Sequence, residues 1–228
     1  MSSKLIIGIG NKAQHGKDTF AGIAAKQFDD YYITHWADPL KEEVTNAERT
    51  APLIYATSSD NGVHYMLLDH ADGTSNTYLI KHYSEVPYLH EIFTKRNITV
   101  YWGMDGKDSE MLQFWGTDFR REMCDEDYWV NKTLLYVKYR PEKVILIPDT
   151  RFKNEWEAIK ANQGLYVHVL RLNEDGTIYQ DPSRSPTHKS EVDLDAVGSN
   201  YSIVAVSGDL HSFEMQALEV IEKIKETV

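Results

Sequence analysis

Lys4 to Thr19 reads KLIIGIGNKAQHGKDT, and the fold turns on how this stretch is read. Leu5, Ile6 and Ile7 form an apolar run of the length of a buried parallel strand, which Gly8 and Gly10 then end. The loop closes with Gly16-Lys17-Asp18-Thr19. Behind it Phe20, Ile23, Ala24 and Phe28 repeat at helical spacing. Strand, glycine-rich loop and helix in this order are the context that a phosphate-binding loop requires. Its free N–H groups and the positive end of the helix dipole hold a polyphosphate before any side chain takes part. Asn11, Ala13, Gln14, His15, Gly16, Lys17, Asp18 and Thr19 are therefore the expected contacts to a bound nucleotide, with Lys17 reaching the outer phosphates.

Two positions depart from the pattern G-x-x-x-x-G-K-[ST]. Asn11 stands at the first glycine, and asparagine tolerates left-handed backbone better than most residues. Asp18 stands where Ser or Thr touches Mg²⁺. A carboxylate fits there when a cation lies between it and the phosphates, so Asp18 is expected to be a magnesium ligand, direct or through water, with Thr19 on a phosphate.

The chain has 228 residues, 42% hydrophobic and 26% charged, enough for one sizeable α/β core carrying an inserted lobe. Its formal net charge of -11 argues against a broad nucleic-acid footprint, so the cations that serve an anionic substrate must be gathered in a cleft. Cys124 is the only cysteine, which points to a reducing, cytoplasmic setting. The apolar run near the start is too short for a signal peptide, and no other stretch has the length of a membrane span.

Further strands are expected at Tyr31 to Ala37, Lys143 to Pro148, Tyr166 to Arg171 and Tyr201 to Val206. Helices are expected from Asp38, through Glu110 to Met123, over Tyr128 to Tyr139, around Trp156 to Lys160 with Gly164 capping the end, and from Leu210 to about Thr227. Strands alternating with helices indicate a doubly wound, mainly parallel five-stranded sheet with helices on both faces. Residues 51–102 change character. Val63 to Leu68 and Thr77 to Tyr83 flank a polar turn and read as a β-hairpin in a lobe inserted at the rim, either a packed lobe and dimer contact or a substrate contact. The polar loop 173–189 carries Arg184, His188 and Lys189. With Arg171 it reads either as a lid closing over ATP or as a charged surface loop.

Several stretches taken together resemble the bacteriophage deoxynucleoside monophosphate kinases, a branch of the P-loop kinases. They are GNKAQHGKDTFA, WADPLKEEV, LQFWGTDFRRE with YWVNKTL, LIPDTRFKNEWEAI and THKSEVDLD. Asp118 stands where that family commonly has Glu, and no Arg precedes Leu112-Gln113. The resemblance implies a P-loop kinase fold, ATP and Mg²⁺, and transfer of the γ-phosphoryl group to a (deoxy)nucleoside 5′-monophosphate in the cytoplasm, a host cytoplasm for a phage chain. Lys17, Asp18, Arg121 and Arg151 are then the catalytic set, the family pattern favouring Arg121 over Arg120 in the cleft. Asp38, Lys41, Arg121, Trp129, Asp149 and Arg151 become the substrate contacts, and Arg171 a contact to ATP.

Several of these residues have a second reading. Asp149, at the carboxyl end of a central strand, either holds the metal's water with Asp18 or caps the following helix. Lys41 is either an acceptor contact or a solvated first-turn lysine. Trp129 and Trp115 either stack on a base or belong to the core. The histidines show no zinc-ligand spacing. Two rival functions remain. Animal phosphomevalonate kinases share a similar Gly-Lys-Asp loop and Asp-Thr-Arg stretch, which points to another small phosphorylated acceptor; the second rival is a nucleotide-binding protein without transferase activity.

Overall fold

The computed structural model describes residues 4–49, 53–58, 64–69, 75–80, 116–117, 120–121 and 125–227. The chain divides into two compact units, Met1–Trp36 with Thr133–Val228, and Ala37–Lys132.

The first unit is built on β1 (Leu5–Gly10), which sits at the centre of a five-stranded sheet. With β2 (Tyr31–Ile33), β6 (Val144–Thr150), β7 (Leu165–Leu172) and β8 (Tyr201–Val206), the order across the sheet is β2-β6-β1-β7-β8, and every pairing is parallel. The central strands are nearly unbroken apolar runs because both faces are covered. Ile7 and Ile9 bury against α1 (Lys17–Ala25) and α6 (Leu210–Glu226), whose Phe20, Ala21, Ala24, Phe213, Ala217, Ile221 and Ile224 complete that core. The other face meets α4 (Lys153–Ala161), where Ile159 lies fully buried against β1 at Gly8. The expected doubly wound parallel sheet is therefore present, with helices on both faces.

Three features differ from expectation. α4 ends with Gln163, not Gly164, in the left-handed conformation (φ 57°). The Gln163 N–H reaches Lys160 O and the Gly164 N–H reaches Ile159 O, so Gly164 is one residue beyond the left-handed position of a Schellman cap. Glycine is needed at 164 for another reason: a Cβ there would lie 2.7 Å from Ile6 O. Asp149 does not cap α4 either. Glu155, 2% exposed, does this by accepting from the N–H groups of Arg151 (2.8 Å) and Phe152 (3.0 Å).

In the second unit the hairpin has a third strand. β3 (Leu53–Ser58), β4 (His64–Asp69) and β5 (Ser75–Ile80) form an antiparallel sheet in that order. This unit also holds α2 (Asp38–Arg49) and the start of α3 (Tyr128–Tyr139). Gly116, Thr117, Arg120 and Arg121 lie in π-helical turns. Trp115, Asp118 and Cys124 lie outside the described residues. Among the described residues, no helix is long and apolar enough to cross a membrane.

Candidate active site

After β1 the chain curls because three residues in the next six positions have positive φ: Asn11 (121°), Gln14 (58°) and Gly16 (93°). Asn11 serves in place of glycine and is buried; its side-chain amide donates to Val169 O at 3.1 Å, which ties the loop to β7. Gly16 precedes α1, and a Cβ there would press on the Phe213 ring at 3.1 Å besides straining the backbone. No side chain caps α1, so the N–H groups of its first turn face whatever lies before the helix.

Lys17 is 4% exposed, and its ammonium donates to the carbonyl of Lys12 inside the loop. Burial pulls its pKa down to about 7, and the Arg151 guanidinium pulls the same way against the carboxylates of Asp18, Glu191 and Asp149.

Arg151, just beyond β6, and Arg184, from the 173–188 loop, both approach one carboxylate, that of Glu191 on the short α5 (Lys189–Val192), each at 3.6 Å. Burial and the nearby Arg184 charge lower the Arg151 pKa from the ordinary arginine value. Lys12 donates to the Glu191 carbonyl and pairs with Asp195 at 2.6 Å. Lys12, Lys17, Arg151 and Arg184 are thus gathered around the loop and Glu191.

A pocket of about 440 Å³ opens beside the loop. Gln14, His15, Gly16, Asp18 and Thr19 form one wall; Arg171, Ser207, Gly208, Asp209 and Leu210 form the other, with Phe213 among its lining residues. Arg171 lies over the Tyr179 ring, 4.1 Å from its centroid, and donates to Ser207 Oγ (2.9 Å) and Gln14 O (3.3 Å). The volume lies in the range of small-ligand pockets.

His15 locks this wall. The Arg171 backbone N–H donates to its Nδ1 at 3.1 Å, so Nε2 carries the proton and donates to Tyr179 O at 2.9 Å. Burial, the largest cause, lowers the His15 pKa below 6.5 and keeps the ring neutral. The unfolded chain takes up a proton that the folded ring resists, so this contribution to stability is lost as pH falls from about 6.5 toward the folded value. Between about pH 7 and pH 5, the wild type is expected to lose more melting temperature than His15→Gln, which keeps a donor and an acceptor without titrating. Parallel pH profiles by differential scanning calorimetry would assign the effect elsewhere.

The metal candidates are Asp18, whose side chain is 87% exposed, and Asp149, whose Oδ1 accepts the Trp36 N–H at 2.9 Å. Both act electrostatically on the Lys17 ammonium. Two carboxylates suit Mg²⁺, which keeps several waters and takes its other ligands from substrate phosphates. Among the described residues, no group of three His, Cys, Asp or Glu is placed to hold a metal without such help.

No family model matches the chain, and no curated protein matches it.

Of the other expected contacts, Asp38, Lys41, Arg121 and Trp129 lie in the second unit. Arg120 is buried and bonded to Glu43 (3.0 Å), which also accepts from Tyr128 Oη (2.6 Å) and pairs with Lys132, while Arg121 is half-buried. Asp38 and Lys41 pair with each other at 3.0 Å in the first turn of α2. Of the two readings of Trp129 the structure shows the core one, which corrects its place among the substrate contacts: it is 2% exposed, and its indole N–H is used on Gly116 O, so no ring face is open to a base. His188 caps α5, its Nδ1 accepting from Ser190 N. Lys189 lies 6.0 Å from the Phe152 ring centroid.

Sequence reasoning missed Glu191, Ser207, Tyr179 and Phe213. Glu191 lies within the THKSEVDLD stretch, but its bond to the Ala13 N–H (3.0 Å) spans 178 residues.

Proposed function

We propose that the chain is a P-loop phosphotransferase of the type it resembles, moving the γ-phosphoryl group of ATP to the phosphate of a (deoxy)nucleoside 5′-monophosphate. The observation that carries this reading is the buried Lys17 in a glycine-rich loop, with Arg151 and Arg184 both close to Glu191 and a pocket of about 440 Å³ lined in part by the loop.

The acceptor phosphate is an anion at neutral pH, so the reaction needs no strong base. Its oxygen attacks the γ-phosphorus in line, and ADP leaves with the bridging electrons. The protein supplies position and positive charge. In this reading the loop N–H groups and Lys17 hold the β- and γ-phosphates, Arg151 grips the acceptor phosphate, and Arg171 with the 207–210 wall holds the nucleoside of ATP. Asp18 and Asp149 would hold Mg²⁺, which when bound neutralises charge on the phosphate oxygens. The 173–188 segment would act as a lid that limits water over ATP.

One observation supports a second acceptor. Trp129, the aromatic that the resemblance offered as a substrate contact, is enclosed and presents no ring face to an acceptor base. Another small phosphorylated metabolite, as in the phosphomevalonate kinases, therefore remains the alternative substrate of the same chemistry.

The test is a coupled ADP-release assay across deoxy- and ribonucleoside monophosphates and non-nucleotide phosphates, with Lys17→Ala as control. Turnover with a monophosphate supports the reading; ATP binding without consumption of any acceptor favours a non-catalytic nucleotide-binding protein. Arg151→Ala is expected to raise the acceptor KM by about 10- to 100-fold, since it removes a charge-assisted contact to phosphate. An unchanged acceptor KM and kcat would remove Arg151 from the site.

A further inference from the structure

Glu191 occupies an unusual place for a carboxylate. It is 7% exposed, and its Oε2 accepts the N–H of Ala13, a main-chain donor of the glycine-rich loop. Loop N–H groups of this kind are what a polyphosphate binds. Its Oε1 lies 3.6 Å from both Arg151 Nη1 and Arg184 Nη1. These contacts are ion pairs and exceed hydrogen-bond length. Arg151 Nη1 is buried and makes no hydrogen bond at all. Two guanidinium groups are thus held near Glu191 by charge, and in Arg151 a buried donor is left unspent.

We propose that Glu191 is a built-in placeholder for phosphate: it occupies a loop amide and two arginines in the empty protein and must yield them when the ligand arrives. This rests on the reading of residues 11–19 as a phosphate loop. A phosphate group at the loop is an anion competing for the same partners, and it offers more acceptor oxygens than one carboxylate. It can complete the hydrogen bonds that Arg151 lacks. Leaving Glu191 in place beside it would set two anions together.

The placeholder links the ligand to the segment that bears it. Lys12 holds the Glu191 carbonyl, Gln14 Nε2 donates to Asp181 Oδ2 at 3.0 Å, and Asp181 lies 3.9 Å from Arg184. Residues 181–191 are therefore fastened to the loop at several points. Displacing the Glu191 carboxylate loosens one fastening and frees Arg184 for the ligand. Affinity is reduced by the free energy of that exchange, and the arginines are kept near their working positions while the site is empty.

The experiment measures binding of inorganic tripolyphosphate by calorimetry to the full chain. Glu191→Gln keeps the shape and an acceptor for the Ala13 N–H but removes the charge, and Glu191→Ala removes both. Both variants are expected to bind tripolyphosphate about tenfold more tightly than the wild type. Glu191→Asp retains the charge and is expected to show no gain. Equal or weaker binding by the Gln and Ala variants overturns the proposal and leaves Glu191 as a residue that only positions Arg151; an equal gain in Glu191→Asp also overturns it. Lys17→Ala separates the two readings. If the wild type binds no tripolyphosphate, or Lys17→Ala binds it as well as the wild type, the phosphate-loop reading fails. If binding depends on Lys17 but the Gln and Ala variants show no gain, only the placeholder fails.

Discussion

Replacing Lys17 with alanine is expected to lower turnover by about a thousandfold or more, because its charge is worth most on the transferring phosphoryl group, where negative charge is spread in the transition state. The fold should survive. Lys17 is buried with its pKa drawn down to about 7, so the empty protein bears the cost of an ammonium with little counter-charge. Between about pH 7 and 10.5 the folded state binds fewer protons at Lys17 than the unfolded chain, so this group's contribution makes stability rise with pH across that window. The penalty is fullest below pH 7, where the buried group is charged. Lys17→Ala removes it, so the variant should melt no lower than the wild type at neutral pH. Ligand binding should show the same linkage. Phosphate raises the Lys17 pKa, and binding near pH 8 should take up a proton in the wild type but not in the variant, as read by calorimetry in buffers of different ionisation enthalpy. Retained turnover, or equal proton uptake, would remove Lys17 from this role.

The second large effect concerns the fold beneath the loop. Gly10→Ala places a methyl group 2.5 Å from the Tyr166 ring and hydroxyl and 2.7 Å from Thr150 O. Tyr166 is 0% exposed, and the Thr150 carbonyl belongs to β6, which pairs with β1, so neither neighbour can retreat cheaply. A loss of about 3 kcal/mol or more is expected, at the upper end of overpacking effects. Chemical denaturation checks it. Because Gly10 leads directly into Asn11, a shift of β1 at this point also moves the loop. A variant of unchanged stability would mean that the close approach at Gly10 is not a constraint.

The first unit was legible because its signals are local. An apolar run before Gly8 and Gly10, a Gly-Lys pair before a helical repeat, and strands alternating with helices each follow from neighbouring residues, and they led to the parallel sheet. The loop's curvature was legible too, since Asn11 was expected to tolerate the left-handed backbone that it adopts with φ 121°. What escaped notice depends on distant partners. Nothing near Glu191 says that its carboxylate meets the amide of Ala13, and nothing near Trp129 says that Gly116 O takes its N–H. Gln163 bears the left-handed turn because Gly164 is committed to a close approach with Ile6, a contact between α4 and β1 that no local rule contains. The third strand of the small sheet did carry a signal: Leu53-Ile54-Tyr55 has strand composition.

The reading depends above all on a polyphosphate seated on the backbone amides between Asn11 and Thr19. A crystal grown with magnesium and a non-hydrolysable ATP analogue measures this directly. The expected result is the β- and γ-phosphates hydrogen-bonded to loop N–H groups, with the Lys17 ammonium turned from the Lys12 carbonyl to a phosphate oxygen. An analogue bound elsewhere at saturation, with Lys17 still on Lys12 and the loop amides empty, would contradict it.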